Sequence, residues 1–96
     1  MPTYISLLNF TQKGAETIKD GPKRLDAAKQ RFKDAGADIK AWYLVLGQYD
    51  AVAVFDAPNE EVVAKLALAT GMMGSVRTQT FRAFNEADYR KIVSSL

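Results

Sequence analysis

Residues 39–55 read IKAWYLVLGQYDAVAVF, and this stretch decides the fold. Ile39 to Leu46 is aliphatic, aromatic and short, the composition of a strand. Gly47-Gln48-Tyr49-Asp50 is a tight connection: Gly accepts positive φ, and Asp can bond its own backbone in the turn. Ala51 to Phe55 (AVAVF) then resumes as a strand. Its two alanines, Ala51 and Ala53, are small, so either something packs close on their side or room is left there.

Working outward, Thr3 to Phe10 (TYISLLNF) is a strand with both alternate sets largely apolar, which places it centrally with cover on both sides. Thr11 offers an N-cap. A first short helix with Ala15 and Ile18 on its apolar side is interrupted at Asp20-Gly21-Pro22, where proline suits the first turn of a new helix. Leu25, Ala28, Phe32 and Ala35 form one helical stripe, and Gly36 is placed to end it in a left-handed cap. Beyond the central stretch, Asp56-Ala57-Pro58-Asn59-Glu60-Glu61 makes a strong helix start, proline early and then acids facing the positive helix end, and Val62, Val63, Leu66, Ala67 and Thr70 form the side it buries. Ser75 to Phe84 (SVRTQTFRAF) is a strand polar near its middle, as suits an edge or a wet lining. Asn85 caps a last helix with Tyr89, Ile92, Val93 and Leu96 on its apolar side.

The order β-α-β-β-α-β plus a helix predicts a single α+β domain over residues 1–96: a ferredoxin-like split β-α-β sandwich with a four-stranded antiparallel sheet. The expected strand order is 4-1-3-2, with helices on one face. The other face keeps apolar side chains that a chain of 96 residues has little left to cover. A two-fold copy would bury them and give a dimeric α/β barrel, so the expected partner is the chain itself, as a homodimer or a higher even oligomer.

Composition narrows the chemistry. The chain has no cysteine and no histidine, which removes the thiolate nucleophile and the commonest general base and metal ligand. No cofactor and no metal site is expected. Thirteen basic and eleven acidic residues are interspersed, leaving no basic stripe for nucleic acid, and Lys29-Gln30-Arg31-Phe32-Lys33 reads as a solvated helix face. No apolar run approaches the ~20 residues of a membrane span, and Met1-Pro2-Thr3-Tyr4 lacks the start of a signal peptide, so the default expectation is a cytoplasmic protein.

Two motifs carry a resemblance. Gly47-Gln48-Tyr49-Asp50 followed by AVAV, and Gly74-Ser75-Val76-Arg77-Thr78-Gln79-Thr80-Phe81-Arg82-Ala83-Phe84, resemble the signatures of the GYD-domain family. Tyr4-Ile5-Ser6-Leu7 and Gly21-Pro22-Lys23-Arg24-Leu25 are similar to it as well. The chain departs from a contiguous G-Y-D by the intervening Gln48. The resemblance implies a dimeric α/β-barrel fold and little about activity. The effector-sensing domain of leucine-responsive regulators has a similar G-x-Y-D turn, and the dimeric-barrel monooxygenases share the architecture, an analogy of fold only.

The candidate ligand-binding residues are Tyr4, Trp42, Tyr49, Asp50, Thr78, Thr80 and Arg82. Trp42 and Tyr4, with Tyr43, are the aromatic walls that small-molecule pockets use, although aromatics on strands also make core. Tyr49 and Asp50 have a turn or dimer role as their plainer reading. Alternation puts Thr78, Thr80 and Arg82 on one face and Arg77 and Gln79 on the other. Arg82 then awaits an anion, either a ligand carboxylate or Asp50 or Asp56 of the same chain. Met72 and Met73 sit between glycines as a frayed helix end or an adaptable lid. Two functions stay open: a homodimeric small-molecule-binding or sensing module, and a cofactor-independent enzyme of the monooxygenase or cyclase type. The enzyme would use Tyr49 with Asp50, or Arg82 polarising a carbonyl. A third is a purely structural partner protein.

Overall fold

A computed structural model describes residues 1–96. Its elements are β1 (Thr3–Phe10), α1 (Gln12–Glu16), a 3-10 turn (Ile18–Asp20), α2 (Gly21–Asp34), β2 (Asp38–Leu44), β3 (Ala51–Asp56), α3 (Glu60–Met72), β4 (Val76–Ala83) and α4 (Glu86–Ser94). The sheet order is β2-β3-β1-β4 with every pair antiparallel, the ferredoxin-like arrangement that the sequence predicts. The two most apolar strands are central, and the polar β4 is an edge.

The helix starts follow from side-chain oxygens that satisfy otherwise orphan backbone donors. Thr11 accepts from the amide of Gly14, Asn59 from that of Val62, and Asn85 from that of Asp88. Glu60 and Glu61 lie in the first turn of α3, where negative charge meets the positive end of the helix dipole. Gly36, at φ +82°, ends α2 as expected.

The first short helix departs from its expected packing. Ala15 and Ile18 are exposed, and the buried residue is Gly14. The reason is a close approach of backbones: the amide of Thr11 donates to the Ser75 carbonyl at 3.0 Å, which brings that carbonyl against Gly14. A Cβ on Gly14 would collide with the Ser75 oxygen.

The core is small. Tyr4, Ala37, Phe55, Ala57, Val63 and Leu66 form it, with Phe32, Ile39 and Val62 packed alongside. Tyr4 stacks on Phe55 at 5.5 Å between centroids, and Phe32 meets the same ring edge-on at 5.1 Å. Leu25, Ala28 and Phe32 of the expected α2 stripe are only half-buried, and Ala35 is exposed at the C-cap. α2 meets the sheet through Phe32 and leaves the rest of its stripe only partly covered.

At one end of the sheet, Asp56 accepts from the Thr3 hydroxyl at 2.7 Å and pairs with Lys40 at 3.1 Å. The Thr3 hydrogen bond leads in holding its carboxyl below the ordinary aspartate value; partial burial opposes, and Lys40 assists. Because the folded-state value lies below the unfolded one, this stabilisation is present above pH ~4 and is lost as the pH falls through the folded value.

Two outcomes are expected in urea unfolding. Gly14→Ala destabilises by about 1–3 kcal/mol, as overpacking against a fixed backbone does. Asp56→Asn costs about 1–2 kcal/mol at pH 7, and its difference from wild type shrinks when the titration is repeated below pH ~4.

Candidate functional site

Alternation along the strands gives the sheet two faces. Ser6, Leu8 and Phe10 of β1, Ala53 and Phe55 of β3, and Val76, Thr78 and Thr80 of β4 face the helices. In β2 a register shift between Ile39 and Ala41 turns Trp42 and Leu44 to the same side as Ile39. Between this face and the helices lies a cavity of about 750 Å³. Leu25, Ala28, Arg31 and Phe32 of α2 wall one side, and Leu66, Ala67 and Thr70 of α3 another. Two small side chains, Ala53 and Ser6, lie on its floor. The room beside Ala53 is left open.

The lining is mainly apolar with a few polar groups. Ser6 and Thr80 are directly opposed across the β1–β4 ladder and their hydroxyls are hydrogen-bonded at 2.7 Å. Lys13, Arg24 and Arg31 border the space, with Asp20 as the one acid. Met73 also lines it, while Met72 points away into solvent.

The seven candidate residues do not come together. Trp42, Thr78 and Thr80 line the cavity. Tyr4 is 2% exposed and packed into the core beside it, its hydroxyl without a hydrogen-bond partner. Burial leads in raising that phenol above its ordinary value; Glu60 pushes the same way and Arg82 opposes.

Arg82 shares the helix-side face with Thr80 but lies beyond the cavity. Its guanidinium covers the Phe84 ring at 4.4 Å, approaches Tyr4 at 5.8 Å, and donates to the carbonyls of Thr3 and Ala83. Neither expected aspartate partner is used. Tyr4 is paired with Arg82 and Thr3 with Asp56, so Arg82 and Asp56 point to opposite faces of the sheet. Asp50 belongs to the other end of β1.

Tyr49 and Asp50 act as a clamp on the central strand. β1 pairs with β3 only as far as Leu8, leaving the amide of Phe10 on that side without a strand partner. The Asp50 carboxylate accepts it at 2.8 Å, and the Asp50 amide donates to the Leu8 carbonyl at 2.8 Å. The Tyr49 hydroxyl donates to the Gln79 side chain on β4 at 2.7 Å, on the face away from the helices. Asn9 adds a bond to the Gln48 carbonyl at 2.9 Å. The turn thus reaches across β1, and neither Tyr49 nor Asp50 borders the cavity.

The helix-free face carries Ile5, Leu7, Val52 and Val54, half-buried, with Tyr43 61% and Phe81 51% exposed at its edges. α4 has no buried residue, and its apolar side chains Tyr89, Ile92 and Val93 are all exposed. Arg31 is the cavity residue that the sequence reading passed over. It lies in a basic helix segment that reads as a solvated face, and only the fold places it at the cavity. No helix is long and apolar enough to cross a membrane.

A G-x-Y-D turn clamping the central strand of a ferredoxin-like sheet defines the class: the chain belongs to the GYD domain family, matched over residues 4–93. The chain is 40% identical over 89 residues to the glutamine synthetase and cystathionine beta-lyase binding protein of Thermus thermophilus. That match covers 92% of this chain and 94% of the relative.

Asp50→Ala is expected to destabilise the domain by about 1–3 kcal/mol, because it strands the Phe10 amide. Asp50→Asn keeps an acceptor and loses less. Thermal and urea unfolding of the two variants beside wild type make the comparison.

Proposed function

We propose that this chain is a homodimeric binding module that docks on metabolic enzymes of the kind for which its Thermus relative is named. The observation that carries this reading is the relative itself: 40% identity over nearly the full length of both proteins. The surface supports it. The helix-free sheet face and the apolar side of α4 are two uncovered surfaces, and exposed apolar patches mark protein contacts. A second copy laid face to face on the sheet buries Ile5, Leu7, Val52, Val54 and Phe81 on both partners, a self-complementary two-fold contact. The α4 stripe then remains for other proteins. The module would work in the cytoplasm, beside such enzymes.

A second reading rests on the cavity. Its volume of about 750 Å³ falls within the range of small-molecule sites, and its few polar groups are set in apolar walls. A small molecule held there would make the module a sensor that reports to its partner. The enzyme alternative has less behind it. Tyr49 donates to Gln79, Asp50 is engaged with the Phe10 amide, and both lie outside the cavity with Arg82.

The test uses purified glutamine synthetase and cystathionine β-lyase, each immobilised and exposed to the full chain in biolayer interferometry. Saturable binding to at least one of them is expected. Binding to neither, with matched controls intact, overturns the docking reading. Native mass spectrometry of the same sample is expected to give an even oligomer, and Val54→Lys is expected to give monomers with unchanged circular dichroism. A wild-type monomer at micromolar concentration overturns the dimer.

A further inference from the structure

We propose that the cavity between sheet and helices binds a small organic carboxylate with an apolar body, and that Arg31 is its anchor. The inference rests on the small-molecule reading and names its ligand class.

Arg31 carries the argument. It borders the cavity, and its Nε is buried without a hydrogen-bond partner. A buried, unpaired donor on a charged group is costly, and native structures rarely leave one. The ion pairs of the molecule are Lys40–Asp56, Lys65–Glu61 and Arg90–Glu86, so Arg31 takes part in none. The other two cations at the cavity are occupied. Lys13 donates to the Met73 carbonyl at 3.2 Å, and Arg24 donates to the Thr17 carbonyl, the Thr17 hydroxyl and the Gly14 carbonyl. Arg31 is therefore the cation left over, and a guanidinium presents Nε–H with a neighbouring N–H as a fork that matches a carboxylate.

The rest of the lining describes the body of the guest. Trp42, Leu25, Phe32, Leu66 and Ala67 are apolar, and without a guest the space holds roughly two dozen waters against them at liquid density. An apolar body releases that water. The hydroxyls of Ser6 and Thr80 share one hydrogen bond, so one of their two protons stays free to donate to a polar atom on the guest. With three cations against one acid at the rim, an anionic head is preferred over a neutral or cationic one.

The chain contains one tryptophan, and it lines the cavity, so Trp42 fluorescence reports occupancy directly. Decanoate and 1-decanol, both kept below their aggregation concentrations, are titrated into the full chain, with calorimetry as a second readout. Decanoate is expected to shift Trp42 emission saturably and to bind at least tenfold more tightly than decanol. Arg31→Gln is expected to remove that preference and leave decanol binding unchanged. Arg31→Lys, which keeps charge but loses the fork, is expected to fall between and serves if the Gln variant does not fold. Equal affinity of wild type for both compounds, or an acid preference that survives Arg31→Gln, overturns the carboxylate anchor while the small-molecule reading stands. Binding of neither compound overturns both.

Discussion

β1 is hydrogen-bonded on both sides, to β3 from Thr3 to Leu8 and to β4 along its whole length. Every other placement in the molecule depends on that double ladder. A strand fixed on both edges cannot slip, because a shift of one residue would exchange its two faces. The register therefore holds Tyr4, Ser6, Leu8 and Phe10 toward the helices and Ile5 and Leu7 away from them. It sets Ser6 against Thr80, Tyr4 between Phe55 and Arg82, and Thr3 between Asp56 and Ala83.

The G-x-Y-D turn is best understood as part of this ladder. It supplies an acceptor for the one amide at the end of β1 that β3 is too short to reach, and its tyrosine spans to β4. A carboxylate is well suited to the first task, since a charged acceptor strengthens a bond to a backbone donor. The motif that identifies the family thus has a structural role that needs no ligand.

Helices cover one face of the sheet and cover it loosely. The small residues Ala53 and Ser6 lie on the floor of a cavity that the half-buried side of α2 walls. The opposite face has no cover within the chain. Both features go with a short chain, whose surface is large relative to its volume. A second copy on the open face, an enzyme on α4 and a guest in the cavity would each bury part of it. These are the three associations proposed above.

By itself the sequence determined the element order, the strand order, the N-caps Thr11 and Asn85, the interruption before Pro22 and the family. Each is a local signal: periodicity, a capping oxygen, a proline, a motif of consecutive residues. The face assignment of Thr78 and Thr80 against Gln79 was also legible, because strict alternation holds through β4. Tertiary structure alone decided the rest. The irregularity between Ile39 and Ala41 puts Trp42 on the cavity side, and nothing in IKAWYLV announces a bulge. Gly14 is buried because a carbonyl 61 residues away in the sequence comes to rest on it. Arg82 lost both aspartates because register sent them to another face and another end. Arg31 reads as one charge of a solvated helix face, and only the packing of α2 over the sheet places it at the cavity. Local signals depend on neighbours in sequence, whereas a binding site is made by residues that meet only after the chain has folded.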